Sequence, residues 1–380
     1  MVRCTPGSCA LCGAELIGKT RSKEHVIPNS IGGRLKTSGF ICSTCNNTKG
    51  ESWDAELAKQ LNWFSLSLGI SRERGEPPSQ KVRTVDGRQL TLLPDGSFSP
   101  GSSYSEEDID GQKRISIIAG SVAEATKRLE GVSRKYPSFN KDHALSELEV
   151  KTDYLDSPLS VEFSIGGGKA GRSLVKTAVA FASHCGVPHK DFSRALNYLL
   201  DDQAEPPFGH AYLSDLVIGR ELLPIFHCVS VKSDRSKDRL WAYIEYYGLF
   251  RVIVLISDHY TGVDVDKTYA LDPVTGQQLN VAILGDVPED EFCRVVTGDG
   301  WDCKVHRAAA DFTLPRVMRR SEQRALENAV ASGFEHAARV LGIPEGADIP
   351  KDKAAEFTAL LMERLSPYIS HVVRRGLPDA

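Results

Sequence analysis

Residues 23–33 read KEHVIPNSIGG, a carboxylate beside an imidazole followed by a Pro and two Gly, and the stretch is flanked by two short cysteine pairs. The pairs are Cys9-Ala10-Leu11-Cys12 and Cys42-Ser43-Thr44-Cys45, with 29 residues between Cys12 and Cys42. Two residues between cysteines let one turn present both sulfurs to one ion, and four such sulfurs meet the ligand count of tetrahedral zinc. A closed four-sulfur site keeps no coordination position for water or substrate. Cys9, Cys12, Cys42 and Cys45 therefore read as ligands of a structural zinc, a staple that replaces the core so short a unit lacks. Cys4 is a competing ligand, less suitably spaced from Cys9, while Cys185, Cys228, Cys293 and Cys303 stand singly and read as small buried hydrophobes.

Folding around zinc would bring His25 close to the segment after Cys45, Asn46-Asn47-Thr48-Lys49-Gly50. The Glu24 carboxylate and an Asn carbonyl are hard oxygen donors suited to Mg²⁺, which keeps several waters and binds phosphate oxygens. A neutral imidazole beside them has the chemistry of a base toward a water attacking phosphorus. Consecutive residues on a regular strand point to opposite faces, so Glu24 and His25 can serve one phosphate only if the strand ends or bends there. Pro28 with Gly32-Gly33 is expected to supply that break.

The pattern Glu-His-x-x-Pro-x-x-x-Gly-Gly, then Cys-x2-Cys-Asn and a Lys, resembles the HNH endonucleases, the ββα-metal group, in the version set inside a zinc-binding cysteine framework. The likeness covers about residues 9–60. It implies metal-dependent hydrolysis of DNA phosphodiester bonds, with His25 as general base, Glu24 and Asn46 holding a catalytic Mg²⁺ or Mn²⁺, and Lys49 as a basic residue near the helix start. Restriction of, or defence against, foreign DNA would suit such an enzyme. The family often orients its His through an Asn shortly before the second cysteine pair. Here the region reads Lys36-Thr37-Ser38-Gly39-Phe40, so Thr37 or Ser38 would have to serve. The rival reading is a zinc ribbon that binds nucleic acid or protein without catalysis. Such a module would have no use for hard ligands beside a base.

At 380 residues with an ordinary hydrophobic fraction, the chain should hold two or three domains. The expected fold class is α+β: a small zinc-stapled ββα-metal domain over 1–70, a linker over 71–80, a larger α+β domain with an antiparallel sheet over 81–310, and C-terminal helices over 311–380. A net charge of −4 argues against a basic coat, yet residues 1–60 carry eight Lys or Arg against five acids, a mild pull on a polyanion. The longest apolar stretches, 249–256 and 178–182, are far shorter than a bilayer crossing, and no signal-peptide pattern opens the chain, so a cytoplasmic protein without a membrane partner is expected.

Trp53, Leu57, Leu61, Phe64 and Leu68 mark one apolar face of a helix over 51–68. Beyond the linker, Asp86-Gly87 and Asp95-Gly96 read as hairpin turns. Strands are expected over 114–119, 148–154 and 159–165, helices over 172–183 and 191–200, then a strand-rich stretch to about 279, and helices over 324–341 and 353–373. IGGGKAGRS, residues 165–173, fails phosphate-loop spacing and reads as a turn into a helix. His184, Cys185 and His189 read as packing and surface residues rather than a second metal cluster. Arg316, Arg319, Arg320 and Arg324 form either a DNA-backbone contact or a solvated face. The second domain is expected to bind a modified base or a small-molecule ligand, or to form a homodimer that pairs two single-strand cutters.

Overall fold

A six-stranded antiparallel sheet and the N-terminal hairpin belong to the same compact unit of the chain. In the computed structural model, residues 7–149, 151 and 153–376 are described, and Cys4 lies outside them. One unit combines the residues up to 77 with 163–319; the other combines 78–162 with those from 320 onward. The segments read from sequence as 81–310 and 311–380 are thus each divided between units. Long-range pairing joins stretches that local composition treats separately.

In the first unit, β1 (Arg21–His25) pairs antiparallel with β2 (Lys36–Cys42), Glu24 facing Thr37 and His25 facing Lys36. The ladder continues one step past the strand, where Val26 N–H donates to Leu35 O at 2.9 Å. A helical turn (Ser43–Cys45) and a π-helical turn (Asn46–Gly50) lead into α1 (Glu51–Gln60). The apolar face read from the sequence is buried throughout. The single helix expected over 51–68 is stepped at Leu61, however, and continues as Asn62–Leu68, every residue of which is buried.

The long helix α2 (Gly168–His184) follows the turn at Gly166 and Gly167, whose φ angles of 114° and 75° only glycine adopts without strain. Every residue from Ala170 to Ala182 is buried, so α2 is packed all round rather than on one face. It lies against β2, α1 and the sheet. That sheet runs in the order Gln278–Leu279, β6 (Asp266–Leu271), β3 (His227–Asp234), β4 (Arg239–Tyr246), β5 (Phe250–Ser257) and Phe208–His210. Buried in the same unit, Glu245 on β4 accepts both Arg220 Nη1 at 2.6 Å and Nη2 at 2.9 Å, a bidentate pair that satisfies a carboxylate shut off from water.

His227 ties the hairpin to this sheet. Its Nε2 donates to Ile31 O at 2.8 Å, and its Nδ1 accepts from the Tyr247 N–H at 2.9 Å, a pattern only the neutral imidazole satisfies. Burial pushes its pKa from 6.5 down to about 4. A depressed histidine contributes stability that is complete above the unfolded value and is lost as pH falls toward the folded one. Melting temperature is therefore expected to drop as pH is lowered from 6.5 to about 4. The effect is worth up to roughly 3 kcal/mol, and a His227→Gln variant should lose most of the slope. A melting series at fixed ionic strength checks it.

The second unit opens with strands Gln80–Thr84, Gln89–Leu92 and Phe98–Pro100, joined by the two Asp-Gly turns as read. A hairpin of Ser103–Ile109 with Gln112–Ile118 and helices Val122–Lys135 and Lys141–Ser146 follow. The strand expected over 159–165 shortens to Leu159–Ser160. Over 148–154 no described residue is in a strand, and Val150 and Thr152 lie outside the described residues. The helix α3 (Cys303–Val340) begins earlier than the sequence reading placed it, where Asp302 Oδ1 accepts the N–H of Lys304 at 2.7 Å, and it passes through Pro315. The last element among the described residues is the helix Ala354–Gly376. Among the described residues no helix is long and apolar enough to cross a membrane.

Candidate active site

The sulfurs of Cys9, Cys12, Cys42 and Cys45 lie within 4.8 Å of one another. Cys12 and Cys42 are 3.7 Å apart, close to the edge of about 3.8 Å that a tetrahedron of 2.3 Å Zn–S bonds requires. The first knuckle closes on itself through Gly13 N–H to Cys9 O at 2.8 Å and is tied to β2 by Ala10 N–H to Phe40 O at 2.9 Å. At the second, the Cys45 N–H donates to Cys42 Sγ at 3.4 Å. Burial opposes the Cys42 thiolate, but that N–H and the neighbouring thiols outweigh it and draw its pKa below the ordinary thiol value. The four-cysteine cluster fits a structural zinc. It is the one group of three or more His, Cys, Asp or Glu among the described residues arranged to hold a metal ion, and His184, Cys185 and His189 form no such group.

Cys42 of the cluster ends β2, and the hairpin sorts its side chains by parity. Ser22 and Glu24 face the helices, where Asn46 Nδ2 donates to Ser22 Oγ at 3.1 Å. Gly50, one helical turn on, leaves the space for that amide: a Cβ there would stand 2.5 Å from Asn46 Oδ1. Glu24 is buried and meets the ammonium of Lys176 from α2. The same ammonium reaches Asp54 on α1 at 2.5 Å, and Asp54 also accepts from Ser173 Oγ at 2.6 Å. Glu24 Oε2 accepts no hydrogen bond among the described residues.

His25 emerges on the opposite face, beside its cross-strand partner Lys36. The expected bend does not bring the two neighbours to one face: the pairing is regular from Lys23 through His25, and the turn at Asn29–Ile31 comes only after it. The two glycines serve a different end. Gly32 has φ of 101° and lies against Pro273, and a Cβ on Gly33 would meet Ile27 O at 1.8 Å.

Thr37 and Ser38 do not orient His25. Thr37 faces Glu24, and Ser38 Oγ accepts from Arg21 Nη2 at 2.9 Å. Glu73 takes the part instead: its Oε1 is 3.2 Å from His25 Nε2, while its Oε2 accepts Lys36 Nζ at 2.8 Å. The hydrogen bonds from Lys36 and then His25 hold the Glu73 carboxyl down to about 2. It is an anion at every working pH, so Nε2 carries the proton it accepts. In the neutral imidazole Nδ1 is then the lone-pair site, and it has no hydrogen-bond partner among the described residues. Glu73 is placed by its own N–H, which donates to Asn29 Oδ1 at 2.8 Å, and by Arg34 Nη2 donating to Ser71 O at 3.0 Å. Lys49 is exposed at the π-helical turn and makes no ion pair among the described residues.

Sequence reading passed over both Glu73 and Lys176. Glu73 lies in SRERGEPPSQ, whose charge, Gly and prolines carry no periodicity and read as a linker. Lys176 did leave a signal, since a lone ammonium inside LVKTAVAFA must find buried acids on the elements packed around its helix.

Residues 9–62 match the family model described as HNH endonuclease, which spans the zinc framework, the hairpin and α1. A search of the curated proteins and one of the solved structures return no match.

Proposed function

We propose that this chain is a metal-dependent endonuclease that hydrolyses DNA phosphodiester bonds, with His25 as its general base. The observation that carries the reading is the Glu73 contact, which commits Nε2 of His25 and leaves Nδ1 as an acceptor within the matched segment. Nδ1 takes a proton from a water as its oxygen bonds to phosphorus, and the bond from phosphorus to the 3′ oxygen breaks on the far side. The imidazolium so formed is stabilised by the fixed negative charge of Glu73. Lys49 and the N–H groups of the helical turn position a phosphate.

Glu24 and Asn46 present hard oxygens on one side of the hairpin, a donor set that suits Mg²⁺ or Mn²⁺. Bound there, the ion would supply neutralisation of charge on a non-bridging oxygen and on the leaving oxygen. Since Glu24 and His25 face opposite sides, the scissile phosphate would lie at the edge of β1 away from β2, within reach of both faces.

DNA from outside the cell is the substrate that suits such an enzyme in the cytoplasm. The larger remainder of the chain would supply recognition of a base or modification, a small-ligand site, or a second copy. The test is incubation of purified protein with plasmid, phage and modified DNA under Mg²⁺, Mn²⁺ or EDTA. Relaxed circles indicate nicking, linear product indicates paired centres, and intact DNA under every ion defeats the reading.

Glu73→Gln removes the anion while keeping the side chain's size. Cleavage is expected to fall roughly tenfold or more, with Mn²⁺ binding unchanged. Nitrogen-15 shifts of His25 should move away from a pure Nε2–H tautomer, a readout that a merely structural Glu73 would leave alone.

A further inference from the structure

Lys176 reaches the centre from a helix more than 150 residues away in the chain, and its ammonium is 0% exposed. It stands within 2.5 Å of one oxygen each of Glu24 and Asp54. A buried lysine side chain set between two carboxylates is held there as their ammonium partner by the two ion pairs. Two carboxylates and one ammonium leave a single net negative charge, in a place where water screens little.

We propose that Lys176 is a resident counter-cation of the nuclease centre, and that a divalent ion on Glu24 binds against its charge, so that α2 sets how tightly the centre takes metal. The inference rests on the assignment of Glu24 as a metal ligand made above. A divalent ion and an ammonium sharing one carboxylate repel each other at short range, and either the ion binds weakly or the ammonium swings away. A role as a mere tie between α2, α1 and β1 makes the opposite prediction, because loosening Glu24 would scatter its oxygens and weaken metal binding.

The deciding measurement is a calorimetric or spin-resonance titration of the zinc-loaded protein with Mn²⁺ alone, in the absence of DNA. Thiolate sites keep zinc against Mn²⁺, so the titration reports the oxygen site. Lys176→Met, an apolar side chain of similar length, is expected to bind Mn²⁺ about tenfold or more tightly than wild type. Lys176→Arg should match wild type, and adding Glu24→Gln to Lys176→Met should abolish the gain. If circular dichroism shows that Lys176→Met does not fold, Lys176→Gln takes its place, since it keeps an N–H donor for the carboxylates and drops the charge.

A folded neutral variant with unchanged or weaker Mn²⁺ affinity overturns the proposal, provided Glu24→Gln alone weakens binding. Should Glu24→Gln leave Mn²⁺ affinity untouched, the metal assignment itself fails and takes this inference with it.

Discussion

A Cys42→Ser variant is expected to lose its zinc and, with it, the ordered structure of the HNH segment over 9–62. Cys42 ends β2, supplies one of four sulfurs, and accepts the Cys45 N–H that starts the helical turn. A hydroxyl cannot replace the thiolate in a four-sulfur site. Binding of a structural zinc to such a peptide is worth about 10 to 16 kcal/mol at neutral pH, comparable to the whole stability of an ordinary domain. Metal analysis should fall from about one zinc per chain to none, and amide hydrogens of β1, β2 and α1 should exchange freely. The hairpin meets β3 through His227 and α2 through Lys176, but the ladders among β3, β4 and β5 do not run through it, so those strands should stay protected. Retained zinc with protected hairpin amides would remove the staple from this account.

His25→Ala carries the second large effect. Loss of a general base costs typically 10² to 10⁴ in rate. The side chain is partly exposed, and its one hydrogen-bond partner among the described residues is the surface residue Glu73, so the substitution breaks no buried hydrogen bond. Zinc content, melting temperature and Mn²⁺ affinity are expected to stay near wild type while DNA cleavage falls by about three orders of magnitude. Initial rates on supercoiled plasmid at equal protein concentration check this. Full activity in the variant would remove His25 from the mechanism.

The zinc framework and the ββα arrangement were legible because their signals are local: two knuckles, a Glu-His pair, a Gly-Gly turn and a helical face every three or four residues. The antiparallel sheet was legible for the same reason, through runs such as RLWAYIEYYGLFRVIVLIS. What escaped was long-range. Glu73 reaches His25 only because Asn29 and Arg34 strap an aperiodic segment to the turn, and no property of SRERGEPPSQ announces that. Lys176 meets Glu24 because α2 is buried all round between the hairpin and the sheet.

The assumed bend at Pro28 was a chemical wish rather than a physical requirement. The ladder still had partners to offer at Val26 and Leu35, and a paired backbone stays straight. Helices Val122–Lys135 and Lys141–Ser146 were missed although each begins on a side-chain cap, Ser121 accepting the N–H of Glu124 and Asn140 that of His143.

The catalytic claim stands or falls on one paired assay: binding and cleavage of the same supercoiled plasmid, followed in the same buffer under Ca²⁺, Mg²⁺, Mn²⁺ or EDTA. A nuclease with its base at His25 binds the plasmid and, under Mg²⁺ or Mn²⁺, converts it to relaxed or linear product, while EDTA stops conversion. A zinc ribbon that only holds nucleic acid shifts the plasmid on a gel in every condition and leaves it supercoiled, and that result would contradict the account.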